Sequence, residues 1–144
     1  MDLHTCYFYT ATINGFRHLL ADDKLKMVVI DSLRYLYNSQ LAKIYGFVIM
    51  PNHIHLLWSL LAKNGKESVG GSFAKYTGHL FKKHLAGDVA LLESYLSSHK
   101  DRQFHFWKRD PLAISISSEK ILLSKLEYMH DNPIKEKWRL ATYP

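Results

Sequence analysis

Cysteine is nearly absent. The one thiol, Cys6, excludes an internal disulfide and any zinc site built from several cysteines, and a buried free thiol is the expectation. Long apolar runs are absent too: no stretch reaches the ~18 residues needed to span a membrane. Met1 to Tyr9 also lacks the basic-then-apolar layout of a secretion signal, so a soluble, intracellular, cytoplasmic chain is expected. No internal repeat or low-complexity segment interrupts the 144 residues. One domain usually takes ~100–200 residues, so residues 1–144 are read as a single domain with no room for a separate cofactor domain. What is present has a globular balance. Hydrophobic residues make up 47% and charged ones 22%, enough for a proper core and unlike a disordered or fibrous chain.

The charge is +6 and unevenly placed. Between Lys63 and Arg109 stand nine basic residues (Lys63, Lys66, Lys75, Lys82, Lys83, Lys100, Arg102, Lys108, Arg109) against four acids (Glu67, Asp88, Glu93, Asp101). A clustered positive field attracts polyanions, which makes nucleic acid a reasonable partner, although many basic proteins bind none.

Side-chain periodicity then orders the chain. Tyr7 to Ile13 alternates like a strand. Asp22 and Asp23 can cap a helix whose apolar face is Leu25, Val29, Leu33 and Leu36. Lys43 to Met50 and His53 to Leu60 read as two strands joined by the turn-forming pair Pro51-Asn52, with His53, His55, Leu57 and Ser59 facing one side and Ile54, Leu56, Trp58 and Leu60 the other. After a polar loop from Ala62 to Gly71, Ser72 is expected to cap a helix with Phe73, Tyr76, Leu80 and His84 on its inner side. Gly87 to Asp101 reads as a short helix plus loop, and Phe104 to Trp107 with Leu112 to Ile116 as a bulged or broken strand. Ser117 or Ser118 starts a last helix that Pro133 should end. The order β-α-β-β-α-β followed by α predicts an α+β fold, a ferredoxin-like split βαβ antiparallel sheet with helices packed on it.

The sharpest local feature is His53-Ile54-His55 within FVIMPNHIHLLW. Two histidines at alternate strand positions share a face and can share one divalent metal, although paired histidines on a sheet surface are also common. On the last helix, Tyr128 and Asn132 lie four apart on one face. If that helix crosses the histidine face, Asn132 offers a carbonyl oxygen and Tyr128 a phenol; an ordinary amphipathic helix explains both residues equally well. Lys75, His79 and Lys82 line another face of their helix, with Lys83 beside them, and suit either phosphate contact or plain solvation. Phe104, Phe106 and Trp107 interleave with Lys100, Arg102, Lys108 and Arg109, a composition that suits single-strand binding through stacked bases and held phosphates. Phe104 and Phe106 are better read as core; Trp107 stays open.

FVIMPNHIHLLW followed by LEYMHDNPIKEKW resembles the signature of the single-tyrosine HUH transposases, in particular the REP-associated tyrosine transposases of bacteria. In that family an apolar strand with Met-Pro-Asn-His-hydrophobic-His precedes a Tyr-x-x-x-Asn-Pro helix. The resemblance runs from about Tyr7 to Trp138, and FWKRDPLAI falls where the family has an aromatic pair before a strand. It implies that His53 and His55 hold a catalytic divalent ion, Mg²⁺ or Mn²⁺, that Asn132 is the third ligand, and that Tyr128, on the last helix, is the nucleophile. It also implies single-stranded DNA, often beside a hairpin, as substrate, cleaved and rejoined through a 5′-phosphotyrosine link in a bacterial, nucleoid-associated protein. Gly87 to Arg102 has no clear counterpart, and many members continue past the position of Pro144 with a tail that helps bind DNA or shape the site. Either a monomer or a homodimer fits. Tyrosine's reference pKa of ~10 calls for help with deprotonation, and Lys125, three positions before Tyr128, is the candidate electrostatic helper.

Two other classes compete with a DNA nicking and joining enzyme. A non-catalytic or domesticated single-strand binding module leaves the histidine, tyrosine and asparagine set without a purpose, and a metal-dependent hydrolase using activated water leaves Tyr128 without one.

Overall fold

Aromatic and β-branched residues in alternation make Cys6–Thr12 the first strand, β1, with Phe8 and Thr10 on one face and Tyr9 and Ala11 on the other. The computed structural model describes residues 6–61, 68–96 and 104–131. Two short 3-10 turns, Asn14–Phe16 and Leu19–Ala21, lead into helix α1, Asp23–Asn38. Asp22 caps α1 by accepting a hydrogen bond from the Lys24 N–H, and Leu25, Val28, Val29, Leu33 and Leu36 form its buried face. Strands β2 (Ala42–Met50) and β3 (His53–Leu60) make the expected hairpin across Pro51 and Asn52. Helix α2 (Val69–His84), the short α3 (Val89–Glu93), strand β4 (Leu112–Ser115) and helix α4 (Glu119–Asp131) complete the order.

The sheet runs β2-β3-β1-β4 with every neighbouring pair antiparallel. Since β3 lies between β1 and β2, the strands that α1 connects, the βαβ unit is split as the element order predicts. Being central, β3 is buried on both faces. Ile54, Leu56 and Trp58 join the α1 and α2 side chains in the larger core, whereas Leu57 joins Cys6, Phe8, Ile116, Leu122 and Met129 beneath α4. Cys6 is fully buried, and burial pushes its thiol pKa up, so the expectation of a buried thiol holds.

Two elements differ from their sequence reading. Helix α2 starts at Val69, capped by Ser68, whose hydroxyl accepts from the Gly71 N–H; Ser72 is already inside the helix. Its buried face is Val69, Phe73, Thr77 and Phe81, a strict four-residue stripe, while Tyr76 and His84 are exposed. The core-facing Thr77 hid that stripe. Its hydroxyl is satisfied by donating to the Phe73 carbonyl at 2.8 Å, so it is buried at little cost. Second, Phe104–Trp107 is no regular strand. It makes two isolated bridges, Phe104 to Leu96 just after α3 and Trp107 to Ile13 at the end of β1, and regular pairing with β1 resumes only at Leu112 opposite Thr10. Residues 108–111 thus bulge out opposite two residues of β1, with Asp110 at a φ of 58°.

Candidate active site

Register explains the first layer of the site. On β3, His53 and His55 project to the α4 side, opposite Thr12 and Thr10 of β1 and opposite Met50 and Val48 of β2. Their ring centroids are 4.8 Å apart at an interplanar angle of 75°. Each Nδ1 is anchored: that of His53 lies 2.7 Å from Asn52 Oδ1 and that of His55 lies 2.9 Å from Thr10 Oγ1. A carboxamide oxygen only accepts, so His53 Nδ1–H donates, and the basic nitrogen of that tautomer is Nε2.

Helix α4 supplies the second layer. Ser118 caps it by accepting from the Ile121 N–H, and Leu122 and Met129 seat it on the sheet with Leu126 packed beside them. The helix passes close over the irregular point of β2 between Ile44 and Gly46. A Cβ on Gly46 would stand 3.0 Å from both Leu126 Cδ2 and Met129 Cε, so the absence of a side chain there permits the approach. This seating brings Tyr128, still 42% exposed, edge-on to the His55 imidazole with centroids 5.5 Å apart. Phe8 stacks on the buried His55 at 5.1 Å and 19° and meets Tyr128 at 6.2 Å, while Lys125 Nζ sits 4.9 Å over the ring of Phe8. His53, His55, Tyr128 and Lys125 therefore gather on one face from segments some seventy residues apart in the chain. Asn132 lies outside the described residues.

Among the described residues no group of three His, Cys, Asp or Glu gathers to hold a metal. The histidine pair is still a fitting partial set. Two imidazoles with anchored Nδ1 atoms present one kind of donor on one face, and borderline divalent ions accept imidazole together with oxygen donors. The sequence does not single out Phe8 and Thr10, because nothing in β1 alone reveals which residue of β3 it will face.

A second concave surface lies on the other side of the sheet. A groove of about 450 Å³ is lined by Lys75, Gly78, His79 and Lys82 of α2 and by Phe104 to Trp107. Lys82 Nζ stands 5.2 Å over the Phe104 ring, and Trp107 Nε1 donates to Thr77 Oγ1 at 2.8 Å. Phe106 is core, as expected, but Phe104 is only partly buried and its ring faces the lysine. Lys83 is exposed and does not line the groove, nor does Arg109; Lys63, Lys66, Lys100 and Arg102 lie outside the described residues.

The fold is similar to that of a REP-associated tyrosine transposase. That protein, solved bound to a REP hairpin, superimposes with a TM-score of 0.59 at 20% identity over 94% of this chain and 70% of its own. A protein of Deinococcus radiodurans R1, provisionally classed as a transposase, gives 0.46 at 15% identity over 87% of this chain and 90% of its own. No protein-family profile matches the chain, and no curated protein matches it in sequence. No helix among the described residues is long and apolar enough to cross a membrane.

Proposed function

We propose that this protein is a metal-dependent enzyme of the tyrosine transposase kind, which nicks and rejoins single-stranded DNA through Tyr128. The observation that carries this reading is the meeting of Tyr128 with the His53–His55 pair, centroid to centroid 5.5 Å at His55. Neither a binding module nor a water-activating hydrolase needs a phenol at that place.

His53 and His55, with Asn132, are the residues that would hold a divalent ion such as Mg²⁺ or Mn²⁺; bound there it would neutralise a non-bridging phosphate oxygen and orient the scissile bond. Tyr128 Oη attacks phosphorus, forming a phosphotyrosine bond to the 5′ side while the bond to the 3′ oxygen breaks and that oxygen takes up a proton. Attack of a 3′-hydroxyl on the phosphotyrosine reverses the step, so joining consumes no nucleotide cofactor. The Lys125 ammonium, held over Phe8 next to Tyr128, favours the developing phenolate electrostatically. The groove of α2 suits the strand itself, with Lys75, His79 and Lys82 for phosphates and Phe104 and Trp107 for bases; Lys83, Lys108 and Arg109 add to the positive field. A hairpin beside the cleaved strand is the substrate carried by the likeness to the hairpin-bound transposase.

The test is a denaturing gel of protein incubated with a hairpin-bearing single strand and Mn²⁺ or Mg²⁺. Wild type should form a covalent adduct. Tyr128→Phe should form at least about a thousandfold less while folding and binding DNA as before, since only a half-exposed hydroxyl is lost. An adduct of undiminished yield in Tyr128→Phe would move the nucleophile elsewhere. Strand binding without any adduct in wild type would leave the binding-module reading standing.

A further inference from the structure

The turn that follows β1 holds an aromatic side chain in an unusual way. Gly15 and Phe16 both have positive φ, 72° and 55°, in the left-handed region. Glycine adopts it freely, whereas a bulky aromatic residue does so only at a steric cost. No burial compensates Phe16, which is 61% exposed and stands outside both core clusters. Among the described residues its ring meets a cation, Lys108 Nζ, 5.4 Å from the centroid.

The turn is also firmly tied down. The Asn14 backbone N–H donates to the Phe106 carbonyl at 2.8 Å and its side-chain amide donates to the His105 carbonyl at 3.2 Å. Lys108 N–H donates to the Thr12 carbonyl at 2.7 Å, and Thr12 is the register partner of His53. One segment therefore carries the groove aromatics at 104–107 and then Lys108, whose backbone lies two strand spacings, roughly 10 Å, from that of His53. An exposed ring fixed at such a point, with a cation beside it, has the makings of a base-stacking surface.

We propose that Phe16 and Lys108 form a platform for one unpaired nucleobase of the DNA strand, on the path between the α2 groove and the histidines. The ring takes the base and the ammonium takes the adjoining phosphate. The platform rests on the nucleic-acid reading above but not on Tyr128 chemistry, so it is tested by equilibrium binding without divalent metal. The probe is an unpaired oligonucleotide carrying 2-aminopurine, whose fluorescence is quenched on stacking. Wild type should quench it. Phe16→Asn, which keeps a residue tolerant of the left-handed backbone, should lose the quenching and weaken binding roughly tenfold, whereas Phe16→Trp should retain both. Lys108→Gln should reduce the slope of log K against log salt by about 0.7. Quenching and affinity unchanged in Phe16→Asn would overturn the platform alone. Failure of wild type to bind any single strand would overturn the nucleic-acid reading, and the platform with it.

Discussion

The two faces of the sheet are built differently. Among the described residues, twenty buried side chains from α1, α2, the turns and the strands form the core on one face, and six form the cluster beneath α4 on the other. The thick face buries Ser32, whose hydroxyl donates to the Val28 carbonyl at 2.7 Å, and Trp58, whose indole Nε1 has no hydrogen-bond partner among the described residues. The thin face contains the buried His55 between Phe8 and Tyr128. A metal-binding imidazole must be dry enough to be held in one orientation and open enough for a phosphodiester to reach it. A shallow cluster under a single helix meets both demands, and a deep core meets only the first.

The largest effect should come from emptying the thin face of its polar pair. His53→Ala with His55→Ala should abolish tight Mn²⁺ binding in a calorimetric titration and lower adduct formation by at least about a thousandfold, while the larger core on the opposite face keeps the chain folded. Unchanged Mn²⁺ affinity in the double variant would make the histidines structural and erase the chemical distinction between the faces.

A direct comparison is available at two adjacent residues of β3. Leu56 and Leu57 are both fully buried but belong to opposite clusters. Leu56→Ala leaves a cavity walled by many neighbours that cannot collapse into it, and should cost about 3–5 kcal/mol in urea unfolding. Leu57→Ala sits under a helix that can settle, and should fall nearer 2 kcal/mol. Equal costs would mean that α4 is as rigidly supported as α1 and α2.

Much of this was legible because local pattern and tertiary role coincided. Strand β3 has the bounds that alternation gives, His53–Leu60, and the Asp22 and Ser118 caps lie where side-chain chemistry calls for them. The start of helix α2 is hidden in the sequence because Gly70 and Gly71 look like loop residues. Gly70 in fact lies inside the helix, where even a Cβ would make only ordinary contact with Tyr9, 3.4 Å from its Oη. The segment 104–111 was only half legible, since its shape is set by bonds to β1 some ninety residues earlier. Histidine spacing and the tyrosine helix could be read from sequence; Thr10 on His55, Phe8 between the histidine and Lys125, and the Phe16 turn are products of register and long-range packing.

Alkaline pH should act through the thick face. Burial pushes the Tyr9 phenol up to about 12, so between the reference value of ~10 and about 12 the unfolded chain loses this proton while the folded chain keeps it. Its contribution is complete below pH ~10 and is lost as pH rises through that window, amounting to about 2–3 kcal/mol. Urea unfolding at successive pH values should show the decline, and Tyr9→Phe should remove most of it. A decline of the same size in Tyr9→Phe would assign the alkaline sensitivity to another group.

The smallest change should show how finely the thin face places the proposed nucleophile, Tyr128. In Gly46→Ala the new methyl would meet Leu126 Cδ2 and Met129 Cε at 3.0 Å, both at the far ends of flexible side chains, so neither backbone need move far. Stability should therefore fall by only about 1 kcal/mol. Yet Leu126 and Met129 flank Tyr128 on α4, and a shift of a few tenths of an ångström in their seating is passed to the phenol. Attack geometry is far more sensitive than packing to such a shift, so adduct formation should slow roughly tenfold while Mn²⁺ affinity, set mainly by the two histidines of β3, changes much less. A fall in Mn²⁺ affinity as large as the fall in adduct rate would show that the substitution acts through the Asn132 donor rather than through the placement of Tyr128. An adduct rate equal to wild type would show that the thin face tolerates the displacement, and that the placement of Tyr128 is corrected by the bound DNA rather than by the packing of the helix.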